Sequence, residues 1–246
     1  MQKTSENSFD QSYSEWKEWS WKPFSELTGS AKRYFTGEFN KLSFGGAGRL
    51  LELGFGEGEF MEWAKHEGHS VVGVELIDTL VENARKAGFK AEKLNLAQQT
   101  LEECEAYGLE LGSFDAIIAF DVIEHMTSDE LIHFLTIASK LLKPNGQILA
   151  RVPNGGSAIG LRLQNGDQTH QLALTKSKLK QLLVGSDFKV HLCDNSFRVT
   201  GNGRFSFLFR IAFPVRNFIE YFLGGLYFMG RIPLDPALTA IFRKAK

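Results

Sequence analysis

From residue 49 onward, short unbroken apolar runs alternate with apolar residues spaced three and four apart, the pattern of strands alternating with amphipathic helices. The first run, Leu50, Leu51 and Leu53 around the single acid Glu52, breaks into glycines at alternate positions, Gly54, Gly56 and Gly58. Helical spacing follows at Phe60, Met61 and Ala64. The run from Ser70 to Leu76 predicts a buried strand ending in Glu75. Asp78 is expected to cap the next helix, whose inner face is Leu80, Val81, Ala84 and Ala87 and which Gly88 ends. Lys90–Leu94 reads as a third strand delivering Asn95 and Leu96, and Phe114–Phe120 as a fourth, buried on both faces. Thr127-Ser-Asp-Glu130 forms a capping box before a stripe of Leu131, Phe134, Leu135, Ala138, Leu141 and Leu142. His133 falls off that stripe and is expected in solvent. A turn at Lys143–Gly146, a fifth strand over Gln147–Val152, a helix from Thr175 to Leu183 and strands at Phe188–Leu192 and Ala237–Phe242 complete the pattern. Strands alternating with helices predict an α/β fold around a largely parallel sheet.

Two segments stand apart. Residues 1–48 are rich in aromatics (Tyr13, Trp16, Trp19, Trp21, Phe24, Tyr34, Phe35, Phe39), with a break at Pro23. They read as an N-terminal cover, either docking for buried area or forming a lid. Residues 204–231 are the most apolar stretch, interrupted by Arg210, Pro214, Arg216 and Glu220, so no charge-free span crosses a bilayer. Packing on the domain is the favoured expectation. A helix lying peripherally on a membrane surface and a dimer face are the alternatives.

With 246 residues, one decorated α/β domain is expected. Lys+Arg 28 against Asp+Glu 29 give a net charge of -1, so no whole-chain field draws the protein to nucleic acid. Cys104 and Cys193 show no metal or redox spacing, and the polar N-terminus lacks the apolar core of a secretory signal. A cytoplasmic location is therefore expected, with contact at the inner membrane face if the 204–231 segment meets lipid.

Strand, glycine turn and helix start make a ligand cradle: glycine lets backbone approach closely, and a helix N-terminus offers unpaired N–H groups. A dinucleotide fingerprint would place its third glycine one residue later, and Glu59 would face the pyrophosphate. The sequence Glu52-Leu-Gly54-Phe55-Gly56-Glu-Gly58 instead resembles the first motif of class I S-adenosylmethionine-dependent methyltransferases. Further motifs carry the resemblance over Arg49–Pro153, including the helix, Leu-Lys-Pro-Asn-Gly turn and strand at its end. It implies a Rossmann-like, doubly wound, seven-stranded sheet, mostly parallel with a C-terminal antiparallel hairpin and helices on both faces. The domain would span residues 49–246, with 204–231 as a helical insertion. S-adenosylmethionine would be held by Glu52, Gly54, Phe55, Gly56 and Gly58 at its amino-acid end. Glu75 and Leu76 would lie at its ribose, Asn95 and Leu96 at its adenine, and Asp121 beside it. NAD enzymes also hold ribose with such an acid, so Glu75 alone supports an adenosine cofactor. An Asn in this loop could equally stabilise its own turn.

Methyl transfer requires an aligned acceptor, and a hydroxyl acceptor needs a base or a metal. His125, just beyond the fourth strand, is the first candidate base, against a role bracing the loop. Asp167 and His170 offer an oriented acid–histidine pair, against His170 merely capping its loop. Asp121, Glu124 and His125 also offer ligands for a divalent metal, as in the ubiquinone-pathway and small-RNA methyltransferases they resemble, although Asp stands where those patterns carry Glu. The run from Pro153 to Leu183 resembles bacterial methyltransferases of surface-polysaccharide and lipid-linked sugar synthesis, which implies O-methylation of a sugar hydroxyl on a small-molecule or glycan acceptor. An aromatic or quinone-type acceptor, an RNA 2′-hydroxyl and a non-catalytic S-adenosylmethionine-binding module are the alternatives.

Overall fold

The computed structural model describes residues 24–43, 45–200 and 206–244; Tyr13, Trp16, Trp19, Trp21 and Arg204 lie outside them. In chain order the elements are α1 (Gly29–Phe39), β1 (Arg49–Leu53), α2 (Glu59–His66), β2 (Ser70–Glu75), α3 (Asp78–Lys86), β3 (Lys90–Lys93), α4 (Leu101–Ala106) and β4 (Phe114–Phe120). After a short 3-10 turn (Ile123–His125) come α5 (Ser128–Leu141), β5 (Leu142–Pro153), α6 (Leu161–Gln164), α7 (Lys176–Leu182), β6 (Phe188–Asn195), α8 (Ser206–Phe228) and β7 (Ala237–Lys244).

The strands form one seven-stranded sheet in the order β3-β2-β1-β4-β5-β7-β6. β1 pairs in parallel with β2 and β4, β2 with β3, and β4 with β5. β7 lies antiparallel between β5 and β6, which makes the expected C-terminal hairpin. The winding direction reverses between β1 and β4, so the crevice above their carboxyl ends is where such a sheet binds ligands. The central strands are buried on both faces. Leu51, Leu53, Ile117 and Ala119 enter one core, and Leu50, Ala116, Ile118 and Leu149 the other.

Local chemistry explains most element ends. The capping box before α5 is present: Glu130 N donates to Thr127 Oγ1 at 3.2 Å, and Thr127 N to Glu130 Oε2 at 2.8 Å. Gly88, at φ 85°, follows the last turn of α3. Two expectations are corrected. Ile77 occupies the N-cap of α3, while Asp78 begins the helix and pairs with Lys93 at 2.7 Å. The Lys143–Gly146 turn is absorbed into β5, which begins at Leu142 and accommodates Asn145 at φ 63° beside a register shift against β4.

α1 packs its aromatic side onto α2 and β4. Phe35 lies 5.4 Å from Phe60 and 5.7 Å from Phe120 between ring centroids, and Trp63 Nε1 donates to Thr36 Oγ1 at 3.0 Å. Phe24 meets Phe55 edge-on, with centroids 6.1 Å apart. α8 does not show the favoured packing: most of its apolar side chains face solvent.

Candidate active site

The turn after β1 holds Gly54, Gly56 and Gly58 at φ 62°, 52° and 77°, where an L side chain is strained. At two of them space forbids a side chain as well. A Cβ on Gly54 would stand 2.7 Å from Val122 Cγ2, and one on Gly58 2.4 Å from the Phe24 ring. Phe55 is 4% exposed and packs its ring beneath Gly73.

Glu75 reaches from the end of β2 to this turn. Its Oε2 accepts from Gly56 N at 3.2 Å, and its Oε1 from Leu76 N at 2.6 Å. Above it opens a cavity of about 890 Å³, within the usual ~300–1,000 Å³ of ligand sites. Gly54, Glu75, Leu76, Asn95, Leu96, Asp121 and His125 all line it. Four strand ends and their loops thus bring these expected residues to one crevice. Asn95 also serves its own turn, Oδ1 accepting from Ala97 N at 3.1 Å.

A second cavity, about 460 Å³, shares Gly54 and Phe120 with the first and is lined by Tyr34, Glu52 and Arg151. Glu52 is 4% exposed, and its Oε2 has no hydrogen-bond partner. Burial, then the neighbouring charge of Glu75, raises its pKa well above the usual carboxylate range. A buried carboxylate oxygen without a partner is costly, and a cation arriving from the cavity would relieve it.

Asp121 stands at φ 56°, a strained backbone position beyond β4. Arg151 Nε donates to its Oδ1 at 2.8 Å and Arg151 Nη2 to its Oδ2. The guanidinium also lies 5.2 Å from the Tyr34 ring centroid and 5.6 Å from that of Phe120. Burial pushes the Tyr34 hydroxyl up to about 12, with the charge of Arg151 pulling the other way.

The loop after α6 is clamped to the 3-10 turn: Gln171 N and Leu172 N donate to Glu124 O at 2.8 and 3.0 Å. This clamp brings Asp167, Thr169 and His170 to Glu124 and His125. Thr169 Oγ1 lies 2.5 Å from Asp167 Oδ1, to which it donates, and 2.7 Å from His125 Nδ1. Having spent its proton on the carboxylate, the hydroxyl accepts from His125 Nδ1–H, leaving Nε2 as the basic nitrogen. Burial would raise the Asp167 pKa, but two hydrogen bonds from Thr169 and the nearby His170 and His125 bring it below the usual range.

Two sequence expectations are corrected here. The Asp167 carboxylate does not hydrogen-bond the His170 ring: Oδ2 and Nε2 are 3.9 Å apart, and His170 Nδ1–H goes to Gln164 O at 3.0 Å. Asp167 is linked instead to His125 through the Thr169 hydroxyl. Asp121 does not join Glu124 and His125 as a ligand set, because Arg151 holds its carboxylate. His170 takes that place, with ligand atoms of Glu124, His125 and His170 within 4.8 Å of one another. Thr169 and Arg151 were not singled out as site residues by sequence reasoning. Arg151 had a signal, a cation at the end of the fifth strand, whereas Thr169 had none.

Residues 51–150 match the protein family described as "Methyltransferase domain". The match runs from β1 into β5. Ubiquinone biosynthesis O-methyltransferases from strains of Xanthomonas oryzae pv. oryzae are 30% identical over 115 residues, 46% of this chain and 46% of theirs. The chain therefore matches about half the length of these curated relatives. A SAM-dependent methyltransferase from Archaeoglobus fulgidus superposes with a TM-score of 0.56 at 21% identity, covering 87% of this chain and 90% of that one. The Burkholderia thailandensis 1,6-didemethyltoxoflavin-N1-methyltransferase, solved with bound 1,6-didemethyltoxoflavin and S-adenosylhomocysteine, gives 0.59 at 15% identity, covering 98% and 87%. At such identities these structures speak for the fold alone. S-adenosylmethionine is the cofactor that the resemblance of the Glu52–Gly58 motif implies. Its chemistry fits the residues present: a cationic ammonium suits the orphaned Glu52 Oε2, and an adenosine suits the apolar-walled cavity edged by Glu75 and Asn95.

Proposed function

We propose that the protein transfers a methyl group from S-adenosylmethionine to an oxygen of a small-molecule acceptor. The observation that carries this reading is the Asp167–Thr169–His125 relay at the wall of the same cavity that Glu75 and Asn95 line. Bound S-adenosylmethionine supplies a methyl group already activated by the sulfonium. Glu52 would receive the ammonium end, and Glu75 the ribose hydroxyls, using lone pairs left beside its backbone bonds. The glycines keep the turn open to both. His125 Nε2 would take the acceptor hydroxyl proton, with Thr169 and Asp167 holding the ring and stabilising the charge it gains. Tyr34, from α1, lines the smaller cavity and would wall the amino-acid end of the cofactor.

A sugar hydroxyl of a surface-glycan or glycolipid intermediate is our preferred acceptor. What supports it is the sequence resemblance of the 153–183 run and the polar side chains that run brings to the cavity, Gln168, Thr169 and Gln171. A phenolic, quinone-type acceptor is the second choice, in keeping with the Xanthomonas relatives. Incubation with S-adenosylmethionine and glycan intermediates, read as a mass gain of one methylene, tests the first against the second. Methylation of phenols but not sugars reverses the order; methylation of neither, with cofactor bound, leaves a binding module and refutes the enzyme.

A divalent cation on Glu124, His125 and His170 is a second reading, favoured by the closeness of their ligand atoms. His170 Nδ1–H is fixed on a carbonyl, so Nε2 presents its lone pair toward the carboxylates. A metal there would claim His125 as a ligand and relieve it of the base role. Chelation followed by magnesium, manganese or zinc titration, read as thermal stability and turnover, separates the two: loss and recovery of both supports the metal, indifference supports the base.

A further inference from the structure

α8 is mounted with its polar side on the protein and its apolar side outward. Its inward positions are Arg216, Glu220 and Gly224. Glu220 is 1% exposed and accepts from Arg198 Nη2 at 2.6 Å, Arg231 Nε at 2.9 Å and Asn195 Nδ2 at 2.6 Å. Arg216 pairs with Asp235, which Arg198 also holds at 2.5 Å. On the opposite side Phe207, Ile211, Val215, Phe218, Phe222 and Leu226 follow at steps of three or four, each between 54% and 67% exposed. At 100° per residue these six fall within an arc of about 100°, and their ridge runs for roughly 29 Å. A helix that served only its own domain would turn such a ridge inward. A bare apolar strip of this extent marks a surface that something covers.

The charge around it selects the cover. From residue 195 to 246 the sequence has eight arginines and lysines against two acids, Glu220 and Asp235, in a chain of net charge -1. Both acids are buried in ion pairs with Arg198, Arg216 and Arg231, so the net charge of this quarter is positive, and Arg210 is exposed on the flank of the ridge. A second copy docked by a twofold axis would set this positive quarter against itself. No helix among the described residues is long and apolar enough to cross a membrane.

We propose that α8 docks the protein on the surface of a bilayer rich in anionic phospholipid, the ridge lying at the boundary between headgroups and acyl chains and the arginines among the phosphates. Docking of this kind is independent of the acceptor and of methyl transfer.

Co-sedimentation of the full chain with vesicles of phosphatidylcholine, alone or mixed with phosphatidylglycerol, tests it. Wild-type protein should bind the mixed vesicles, and more weakly at high salt. Phe218→Glu/Phe222→Glu should lower the binding constant at least about tenfold, a free-energy loss of about 1.4 kcal/mol. Arg210→Glu should reduce the preference for anionic vesicles. The substituted side chains are exposed, so S-adenosylhomocysteine binding and thermal unfolding should match wild type and show that the fold is kept. Failure of wild type to bind either vesicle, or equal binding by the double variant, overturns the proposal. So does a sedimentation-velocity dimer that the double variant dissolves while lipid binding is absent.

Discussion

Gly56 N donates to Glu75 Oε2 at 3.2 Å, which ties the glycine turn after β1 to the last residue of β2. The bond makes one acid serve two tasks: it fixes the height of the turn and leaves carboxylate lone pairs at the rim of the cavity. Glu75→Gln keeps the size but removes the charge and turns an amide N–H₂ toward one of the backbone donors. It should weaken S-adenosylhomocysteine binding by roughly ten- to a hundredfold, with a loss of about 1–3 kcal/mol in stability, as expected when a charged acceptor is lost. Calorimetric titration and denaturant unfolding read the two effects separately.

Glu52 gives a pH signature. Its folded-state pKa lies above the ordinary carboxylate value, so the folded protein holds this proton more tightly than the unfolded chain. Its stabilising contribution is complete below the ordinary carboxylate pKa and is lost as pH rises through the raised value. Glu52→Gln should therefore unfold at or above the wild-type temperature on the alkaline side of that window. The proposed ammonium contact uses the ionised carboxylate, so S-adenosylmethionine should bind wild type with proton release. Titrations in buffers of different ionisation enthalpy should show that release, and Glu52→Gln should show none while binding about tenfold or more weakly.

Gly54→Ala tests the turn itself. Its φ of 62° costs a non-glycine residue about 1–2 kcal/mol, and the new methyl meets Val122 Cγ2 at 2.7 Å. Both effects should lower the unfolding midpoint and the affinity for S-adenosylhomocysteine. Gly68→Ala, at φ 84° with open space around it, isolates the strain and should leave cofactor affinity unchanged.

The relay predicts a split between binding and turnover. His125→Ala should lower kcat by ~10²–10⁴-fold if it is the base. Thr169→Val should cost a smaller part of that, because the imidazole keeps its place but loses its orientation. Both should retain S-adenosylhomocysteine affinity within about threefold, the size of an ordinary context effect. Unchanged turnover in both variants removes the catalytic assignment.

Legibility from the sequence followed the range of the interaction. The Thr127/Glu130 capping box and the glycine turn are local, so composition at fixed spacing announced them. Glu75 was legible because a strand end after a glycine turn has one place to go in a doubly wound sheet. Asp78 misled because helix-favouring acids suit both the cap and the first turn, and Lys93 drew it to the latter. Thr169 was hidden, because its role exists only once Gln171 and Leu172 pin the distant loop to Glu124. The outward ridge of α8 was equally hidden: periodicity gives an apolar side but not its direction, which Arg198 and Arg231 decide by holding Glu220.

Calorimetric titration of the full chain with S-adenosylhomocysteine tests the central claim most directly. Saturable binding at one site per chain, with NADH giving no saturable heat, is the predicted result. An absence of heat with S-adenosylhomocysteine, or tighter binding of NADH, would contradict it.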